Sequence, residues 1–329
     1  MMRFWRNSSW RRALVPGARR TATSGGSAPT PVADNGRSVV AATFGEDDPQ
    51  LSGAGFLRIE GVSKIFEPNG GRRPVVALRE VSLAVKTGEL VCILGRSGCG
   101  KTTLLRIVSG LDEPSDGAVF LEGTRIAGPG PGVGMVFQDP TLFPWRTVEA
   151  NIALGLESMA LTKGERAEIV RRYVTLMGLE GFERRYPHEL SGGIRQRVAL
   201  ARAFAPGPRV VLMDEPFGAL DAQSRFEMQR ELLRVWRQEM KTIVFVTHSV
   251  GEALYLADRV VFLPPLPGPI TDILDLNAFG LDRPRDMASE RFNLARRRAL
   301  SLLGYRFEAG AAEAGDDPAS AQAEDHVPD

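Results

Sequence analysis

Cysteine is scarce in this 329-residue sequence, which contains only Cys92 and Cys99. The two lie close together in the chain, one in an apolar run and the other in a glycine-rich loop. Such a pair does not provide the disulfide framework of a small secreted domain. We therefore expect the protein to work in a reducing compartment.

Long apolar runs are also missing. The most apolar stretches, such as residues 210–213 and 242–246, are far shorter than the roughly 20 residues that a membrane-spanning helix needs. The sequence therefore predicts that this chain does not cross a bilayer by itself.

The chain has no overall excess of charge of either sign, since 41 Lys and Arg balance 40 Asp and Glu. This excludes a protein whose whole surface is basic, although local basic patches remain possible. Charge is nevertheless uneven: residues 1–33 contain six Arg and no acid, whereas residues 308–329 contain seven acids and no Lys or Arg. Both ends are predicted to be solvated tails.

Residues 1–55 form a basic extension rich in Gly, Ser, Pro and Ala, and we predict it to be disordered. Its composition leaves three interpretations open. The segment is a disordered tail or an overlong start, an organellar targeting peptide, or a polybasic segment that contacts anionic lipid. Residues 308–329 are predicted to be an acidic disordered tail.

A folded domain is expected to begin near residue 56, where apolar and polar residues alternate as in a half-buried strand. Strand-like runs at residues 75–85, 90–94, 209–213 and 242–246 are interspersed with helical periodicity at 165–179 and 223–240. This order favours an α/β fold with a mainly parallel sheet covered by helices.

A phosphate-binding loop follows the predicted strand 90–94. The segment GRSGCGKT fits the P-loop pattern G-x-x-x-x-G-K-[ST] and lies between a strand and a helix, as that motif requires. Glycines allow backbone N–H groups to point at phosphate oxygens, and the helix N-terminus adds positive potential. The predicted ATP-binding residues here are Gly95, Arg96, Ser97, Gly98, Cys99, Gly100, Lys101, Thr102 and Thr103.

Within this loop, Lys101 is expected to contact the β- and γ-phosphates, and the Thr102 hydroxyl to coordinate Mg²⁺. Only five of the 41 basic residues are lysines. A compact ammonium fits inside a phosphate cradle where a planar guanidinium is too bulky, so the choice of lysine supports this role.

Two acids follow the apolar run at 210–213. Asp214 and Glu215 would stand at the C-terminal edge of a buried strand, where α/β proteins place their ligands. Asp214 is predicted to hold Mg²⁺, and Glu215 to accept a proton from the attacking water. The alternative is that Glu215 caps the next helix.

A second backbone cradle is suggested by LSGGIRQR at residues 190–197. Ser191, Gly192 and Gly193 would open a helix whose N-terminus can bind phosphate. The alternative is that Ser191 is simply a helix N-cap.

These motifs together resemble those of the ATP-binding subunits of ABC transporters, over about residues 56–303. The resemblance implies a P-loop NTPase (RecA-like) core in residues 56–265, with an antiparallel β subdomain and a helical signature subdomain near residues 148–190. Residues 266–307 would form a C-terminal extension. It also implies a head-to-tail dimer with a second ATPase subunit, in which each ATP lies between one P-loop and the partner's signature segment.

The same resemblance assigns roles to single residues. Phe66 corresponds to the aromatic residue that stacks on adenine, although its position also suits core packing. Gln138 corresponds to the Q-loop glutamine, which would coordinate Mg²⁺ and take part in catalysis. His248 corresponds to the switch histidine near the γ-phosphate, also a catalytic residue. Asp221 belongs to the D-loop.

More narrowly, the segments starting at Gln138, Glu215 and Glu252 resemble the nitrate, sulfonate and taurine importer branch. This implies an integral membrane permease and a periplasmic or lipoprotein solute-binding protein as partners, with the chain peripheral on the cytoplasmic face of the inner membrane. Residues 142–145 would then lie near the permease groove, or else pack in the core. Ser249 and Gly251 depart from the acids common in relatives.

A soluble ATPase of DNA repair or translation is the alternative function. The chain has one P-loop, and the gap between P-loop and signature has no room for a long coiled coil. We therefore expect no nucleic-acid partner.

Overall fold

The computed structural model describes residues 56–67, 73–281, 283 and 285–305. The predictions made for residues 1–55 and 308–329 lie outside these residues.

The described chain begins with three strands, and strands alternate regularly with helices only over residues 210–262. The strands are β1 (Leu57–Phe66), β2 (Val75–Val85), β3 (Leu90–Leu94), β4 (Asp116–Leu121), β5 (Thr124–Arg125), β6 (Val133–Val136), β7 (Val210–Asp214), β8 (Thr242–Thr247), β9 (Arg259–Phe262) and β10 (Asp272–Asp275). The helices are α1 (Lys101–Val108), α2 (Val148–Ala153), α3 (Lys163–Leu176), α4 (Gly192–Phe204), α5 (Ala222–Glu239), α6 (Val250–Leu256) and α7 (Glu290–Leu302). Short 3₁₀ turns cover Leu154–Leu156 and Pro187–Glu189.

Two sheets organise the fold. The larger has the strand order β10-β9-β3-β8-β7-β6 and is parallel except at the β9–β10 edge. The smaller has the order β2-β1-β4-β5 and is antiparallel. The predicted α/β class, with a P-loop core and an added antiparallel layer, is confirmed.

The parallel sheet is buried on both faces, which explains why its strands are almost wholly apolar rather than alternating. In β3, Leu90, Cys92 and Leu94 face one hydrophobic cluster, with the helices α2 to α7. Val91 and Ile93 face the other, which includes α1 and the antiparallel sheet. The carboxyl edge of this sheet is therefore held by packing from both sides.

The helices α2 and α3, which follow β6, are stabilised by side chains that cap their N-termini. Thr162 and Glu165 form a capping box at the start of α3, in which each side chain satisfies a backbone N–H of the other. Thr147 caps α2 by accepting from the N–H of Ala150. These caps fix where the helices begin.

The C-terminal helix α7 packs against α6 through Phe292, Ala295 and Ala299, which are buried. Arg285, also buried, donates to the carbonyls of Leu254 and Tyr255 at the end of α6. The end of α6 is thus capped by a distant side chain.

None of the helices in the described part of the chain is both long enough and apolar enough to cross a membrane.

Candidate functional site

The candidate site lies where three neighbouring parallel strands end. Leu94 is in register with Thr247, and Asp214 with Val246, so β3, β7 and β8 finish side by side. The residues that follow these strands are the glycine-rich loop, Glu215 and His248. Ligands of open α/β sheets bind at this edge.

The glycine-rich loop curls tightly before α1. Gly98 and Gly100 have φ values of 79° and 96°, in the left-handed region that favours glycine. A Cβ at Gly100 would lie 2.5 Å from the carbonyl oxygen of Ala77 and 2.7 Å from Cδ2 of Leu78. Position 100 therefore requires glycine both for its backbone angle and for the space.

Lys101 begins α1 and its side chain folds back under the loop. Its Nζ, in a buried side chain, donates to the carbonyls of Gly95 at 2.8 Å and of Arg96 at 3.0 Å. The ammonium is thus held inside the cradle that the loop forms, where it can meet a phosphate.

The other loop residues divide into two groups. Arg96, Ser97 and Gly98 are exposed, so their N–H groups can face a ligand. The thiol of Cys99 is buried, and burial raises its pKa. Cys99 can therefore serve a phosphate only through its backbone.

Thr102 and Asp214 form an oxygen pair beside the loop. The Thr102 hydroxyl donates to Oδ1 of Asp214 over 3.2 Å. Burial raises the pKa of Asp214, and the hydrogen bond from Thr102 opposes this effect. A hydroxyl and a carboxylate fit Mg²⁺, which prefers oxygen ligands and usually takes only one or two carboxylates together with substrate phosphates.

Glu215 and His248 are paired across the ends of β7 and β8. Nδ1 of His248 lies 3.0 Å from Oε2 of Glu215. The hydrogen bond with His248 lowers the pKa of Glu215, and the same bond raises the pKa of His248. The alternative in which Glu215 caps the next helix is wrong, because Asp221 caps α5.

Glu215 also has an unusual backbone. Its φ of 43° lies in the left-handed region, which costs a non-glycine residue roughly 1–2 kcal/mol. Its N–H donates to the carbonyl of Val246 at 3.0 Å, which holds that conformation in place. Strain of this kind collects at functional sites.

Gln138 approaches the same carboxylate from β6. It is exposed, and a Cβ at Gly218 would lie 3.9 Å from Nε2 of Gln138 and 3.8 Å from Oε2 of Glu215. The structure therefore brings the side chains of Gln138 and Glu215 to the same glycine, Gly218, and pairs Glu215 with His248.

The predicted second cradle is not brought to this site within one chain. Ser191 is exposed and caps α4, where its hydroxyl accepts from the N–H of Ile194 at 3.4 Å. Asp221 is likewise exposed and accepts from the N–H of Ser224 at 2.9 Å. In the part of the chain that the structure describes, no hydrogen bond or ion pair joins residues 191–193 to the P-loop.

Phe66 ends β1 with 42% of its surface exposed. The structure thus does not place it in the core. Nζ of Lys64 lies 5.1 Å from its ring centre and also pairs with Asp112 at 2.7 Å. The ring presents a flat surface that is open to solvent.

Sequence reasoning missed a buried polar group next to His248. Glu252 on α6 is buried and accepts from the Thr247 hydroxyl at 2.6 Å, and it faces Arg225 of α5. An acid within the apolar helix VGEALYL was the signal that could have revealed it.

Comparison with known proteins gives consistent matches. The family model described as ABC transporter matches residues 78–218. The chain is 52% identical over 247 residues to an ABC transporter ATP-binding protein of Methanocaldococcus jannaschii, covering 75% of this chain and 91% of that protein. It is 42% identical to a nitrate import ATP-binding protein of Synechococcus elongatus, with 77% and 93% covered. It is also 42% identical to an aliphatic sulfonates import ATP-binding protein of Bacillus cereus, with 77% and 96% covered.

Among solved structures, the chain is similar to a dimeric ATP-binding cassette in a post-hydrolysis state bound to ADP and Pi. The TM-score is 0.59 at 31% identity, and the match covers 67% of this chain and 98% of that one.

Proposed function

The chain belongs to the ABC transporter family of ATP-binding subunits, and on this premise we propose that it powers the import of nitrate, a sulfonate, taurine or a related small solute. It is an ATP hydrolase. The observation that carries the proposal is the meeting of the P-loop, the Thr102–Asp214 pair and the Glu215–His248 pair at one edge of the sheet.

ATP is proposed to bind with its phosphates in the loop of residues 95–103 and its base on Phe66. Lys101 would exchange its bonds with the carbonyls of Gly95 and Arg96 for bonds with phosphate oxygens. The exposed ring of Phe66, backed by Lys64, offers a stacking surface for adenine.

Thr102, Asp214 and Gln138 would hold Mg²⁺. When bound, this ion neutralises charge that develops on the phosphates. A cation beside Asp214 also favours the ionised carboxylate, which burial alone disfavours.

Glu215 is the proposed general base. Its Oε2 would take a proton from the attacking water, while His248 and Gln138 border the same space and position the reactants. The backbone strain at Glu215 fits a residue held in a fixed orientation for chemistry.

The functional unit is proposed to be a head-to-tail homodimer. The N-terminus of α4 offers the amides of the half-buried Gly192 and Gly193 beside the exposed Ser191, with the Leu220 side chain next to Gly192. Because these groups do not reach the P-loop of their own chain, a second copy can bring them to the nucleotide. The similar ATP-binding cassette is dimeric and bound to ADP and Pi, which supports a dimer as the functional unit.

A permease is proposed to dock near Trp145, whose side chain is 71% exposed and packs edge-on against Phe143 at 5.3 Å. Asn151, fully buried, fixes this loop through hydrogen bonds with the backbone of Phe143, Arg146 and Thr147. An exposed aromatic residue on a rigid loop is suited to an interface. A solute-binding protein would complete an importer attached to the cytoplasmic face of the membrane.

The test is ATP hydrolysis by the purified subunit, followed by solute uptake into vesicles that contain the subunit together with a permease of a nitrate, sulfonate or taurine importer. We expect Mg²⁺-dependent hydrolysis, and uptake of one of the named solutes when its binding protein is added. Hydrolysis that rises with DNA or ribosomes and not with the permease would contradict the proposal.

A further inference from the structure

We propose that Glu252 and Arg225 form a positioning pair that links the switch segment, residues 247–249, to the start of α5. This inference rests on the proposed function, because it concerns how His248 is placed for hydrolysis. Neither residue touches the P-loop in the described structure.

On one side, Glu252 holds the switch segment. The Thr247 hydroxyl donates to Oε2 of Glu252 at 2.6 Å, and the same hydroxyl oxygen accepts from the N–H of Ser249 at 3.0 Å. The N–H of Glu252 donates to the Ser249 hydroxyl at 3.4 Å. Thr247, just before His248, is thus bonded to the Glu252 carboxylate, and Ser249, just after it, is bonded to the Thr247 hydroxyl and to the backbone N–H of Glu252.

On the other side, Arg225 holds the turn before α5. Its Nη2 donates to the carbonyl of Leu220 at 3.0 Å, next to the capping residue Asp221. The guanidinium therefore holds the backbone at Leu220, which in the proposed dimer would lie near the nucleotide bound to the other copy.

The Arg225 guanidinium and the Glu252 carboxylate approach each other without forming a hydrogen bond through Nε. Nε of Arg225 lies 3.7 Å from Oε1 of Glu252, beyond hydrogen-bond distance. This Nε is buried and has no hydrogen-bond acceptor among the described residues. An unsatisfied buried donor favours any movement that closes the gap. A small adjustment of either side chain would close it.

A small cleft connects this pair with the catalytic pair. It has a volume of about 30 Å³ and is lined by Glu215, Gly218, Arg225, Thr247, His248, Ser249 and Glu252. A movement of Arg225 or Glu252 therefore changes the surroundings of both Glu215 and His248. The Glu215–His248 bond is the part of the site that this movement can alter.

The charge of Glu252 depends on its two neighbours. Burial raises the pKa of its carboxyl group, and the hydrogen bond from Thr247 and the charge of Arg225 both oppose that effect. The same two contacts that would position the switch segment therefore also favour the ionised carboxylate.

The experiment is a double-mutant cycle on steady-state ATP hydrolysis by the full-length protein, using Glu252→Gln, Arg225→Met and the double variant. We expect kcat to fall about 10- to 100-fold in each single variant, with KM for ATP changed less than about twofold. The kcat of the double variant should be no lower than that of the less active single variant, because all three variants break the same linkage.

Thr247→Val and Thr247→Ser test the same linkage without altering a charge. The serine variant keeps the hydroxyl and should retain wild-type kcat, whereas the valine variant should behave as Glu252→Gln. Arg225 is 36% exposed, so its replacement by Met is compatible with folding even if Glu252→Gln is not. The matched control is Glu227→Gln. Glu227 is an exposed acid on α5, the helix that carries Arg225, and we expect this variant to have the wild-type kcat.

Wild-type kcat in both Arg225→Met and Thr247→Val would overturn the inference. So would single variants that lose kcat and ATP affinity equally. Losses of kcat that add up in the double variant would overturn it too. Failure of the proposed function is recognised separately: the wild-type protein would not hydrolyse ATP, or Glu215→Gln would be as active as wild type.

Discussion

Oε2 of Glu215 and Nδ1 of His248 are 3.0 Å apart, so the residue proposed as the general base is already engaged by a neighbour. This bond lowers the pKa of Glu215 and raises that of His248. A carboxylate with a lowered pKa is a weak proton acceptor. His248 therefore holds the Glu215 carboxylate in one orientation and makes it less basic, and a change in this bond would change how readily Glu215 accepts a proton.

Replacing Glu215 with Gln should stop turnover and preserve ATP binding, because the amide keeps the shape but cannot accept the proton. We expect kcat to fall at least about 100-fold, measured as phosphate release, with ATP affinity within about threefold of wild type. Glu227→Gln, on the exposed face of α5, serves as the control. Full turnover in Glu215→Gln would refute its role as the base.

The hydroxyl of Thr102 should be needed for Mg²⁺-dependent binding. Thr102→Val removes the oxygen that lies 3.2 Å from Asp214, whereas Thr102→Ser keeps it. We expect ATP affinity in Mg²⁺ to fall about tenfold for the valine variant and to stay near wild type for the serine variant. In EDTA the two variants should bind alike. An equal loss with and without Mg²⁺ would contradict the proposed ligand role.

A charge at Trp145 should uncouple transport from hydrolysis. Trp145→Glu is expected to lower solute uptake in vesicles at least about tenfold while basal ATP hydrolysis stays within about twofold, because the exposed ring lies outside the catalytic site. Leu266→Glu, at another exposed apolar side chain, is the control. Equal losses of uptake and hydrolysis in Trp145→Glu would remove the docking proposal.

The Lys64–Asp112 pair predicts a dependence of stability on pH. Its hydrogen bond lowers the pKa of Asp112 below the unfolded value of about 3.9. A lowered folded-state pKa adds stability above the unfolded pKa, and this stability is lost as pH falls through the folded pKa. Lys64→Met should therefore cost about 1 kcal/mol at pH 7 and less at pH values below about 4.

The measurement for this pair is urea unfolding of the wild type and of Lys64→Met across that pH range. Lys163→Met, at an exposed lysine of α3, is the control and should show no such trend. A cost that stays constant with pH would assign the effect to packing instead.

Two glycines of the P-loop should differ in what they tolerate. Gly98 has space around its Cβ position, so Gly98→Ala should cost only the left-handed backbone strain, about 1 kcal/mol. Gly100→Ala also meets the Ala77 carbonyl and Leu78, and should cost about 3 kcal/mol. Urea unfolding without nucleotide measures both. Equal costs would show that the loop shifts to relieve the contact.

The sequence was most informative where the structure depends on residues that are close together along the chain. The helix that starts at Lys101, the apolar strands β7 and β8, and the P-loop all follow from local patterns. The site assignments stay predictions, but the structure does bring Thr102 to Asp214 and Glu215 to His248. Both contacts follow from parallel strands ending at one edge.

Contacts between distant segments were not predictable in the same way. The position of β3 between β8 and β9 depends on which strands pair, and no local pattern encodes that choice. The buried ion pair of Arg259 with Glu89 joins residues 170 positions apart. For the same reason the approach of Arg225 to Glu252 could not be predicted, although an acid in the apolar helix α6 was itself a signal that Glu252 is unusual.

The bonds of Lys101 with the carbonyls of Gly95 and Arg96 affect more than the placement of one ammonium group. A buried charge without partners would destabilise the fold each time products leave. Because the loop itself supplies these partners, we expect the subunit to keep its core intact whether or not the proposed nucleotide is bound. The loop backbone would then stabilise the fold as well as bind phosphate.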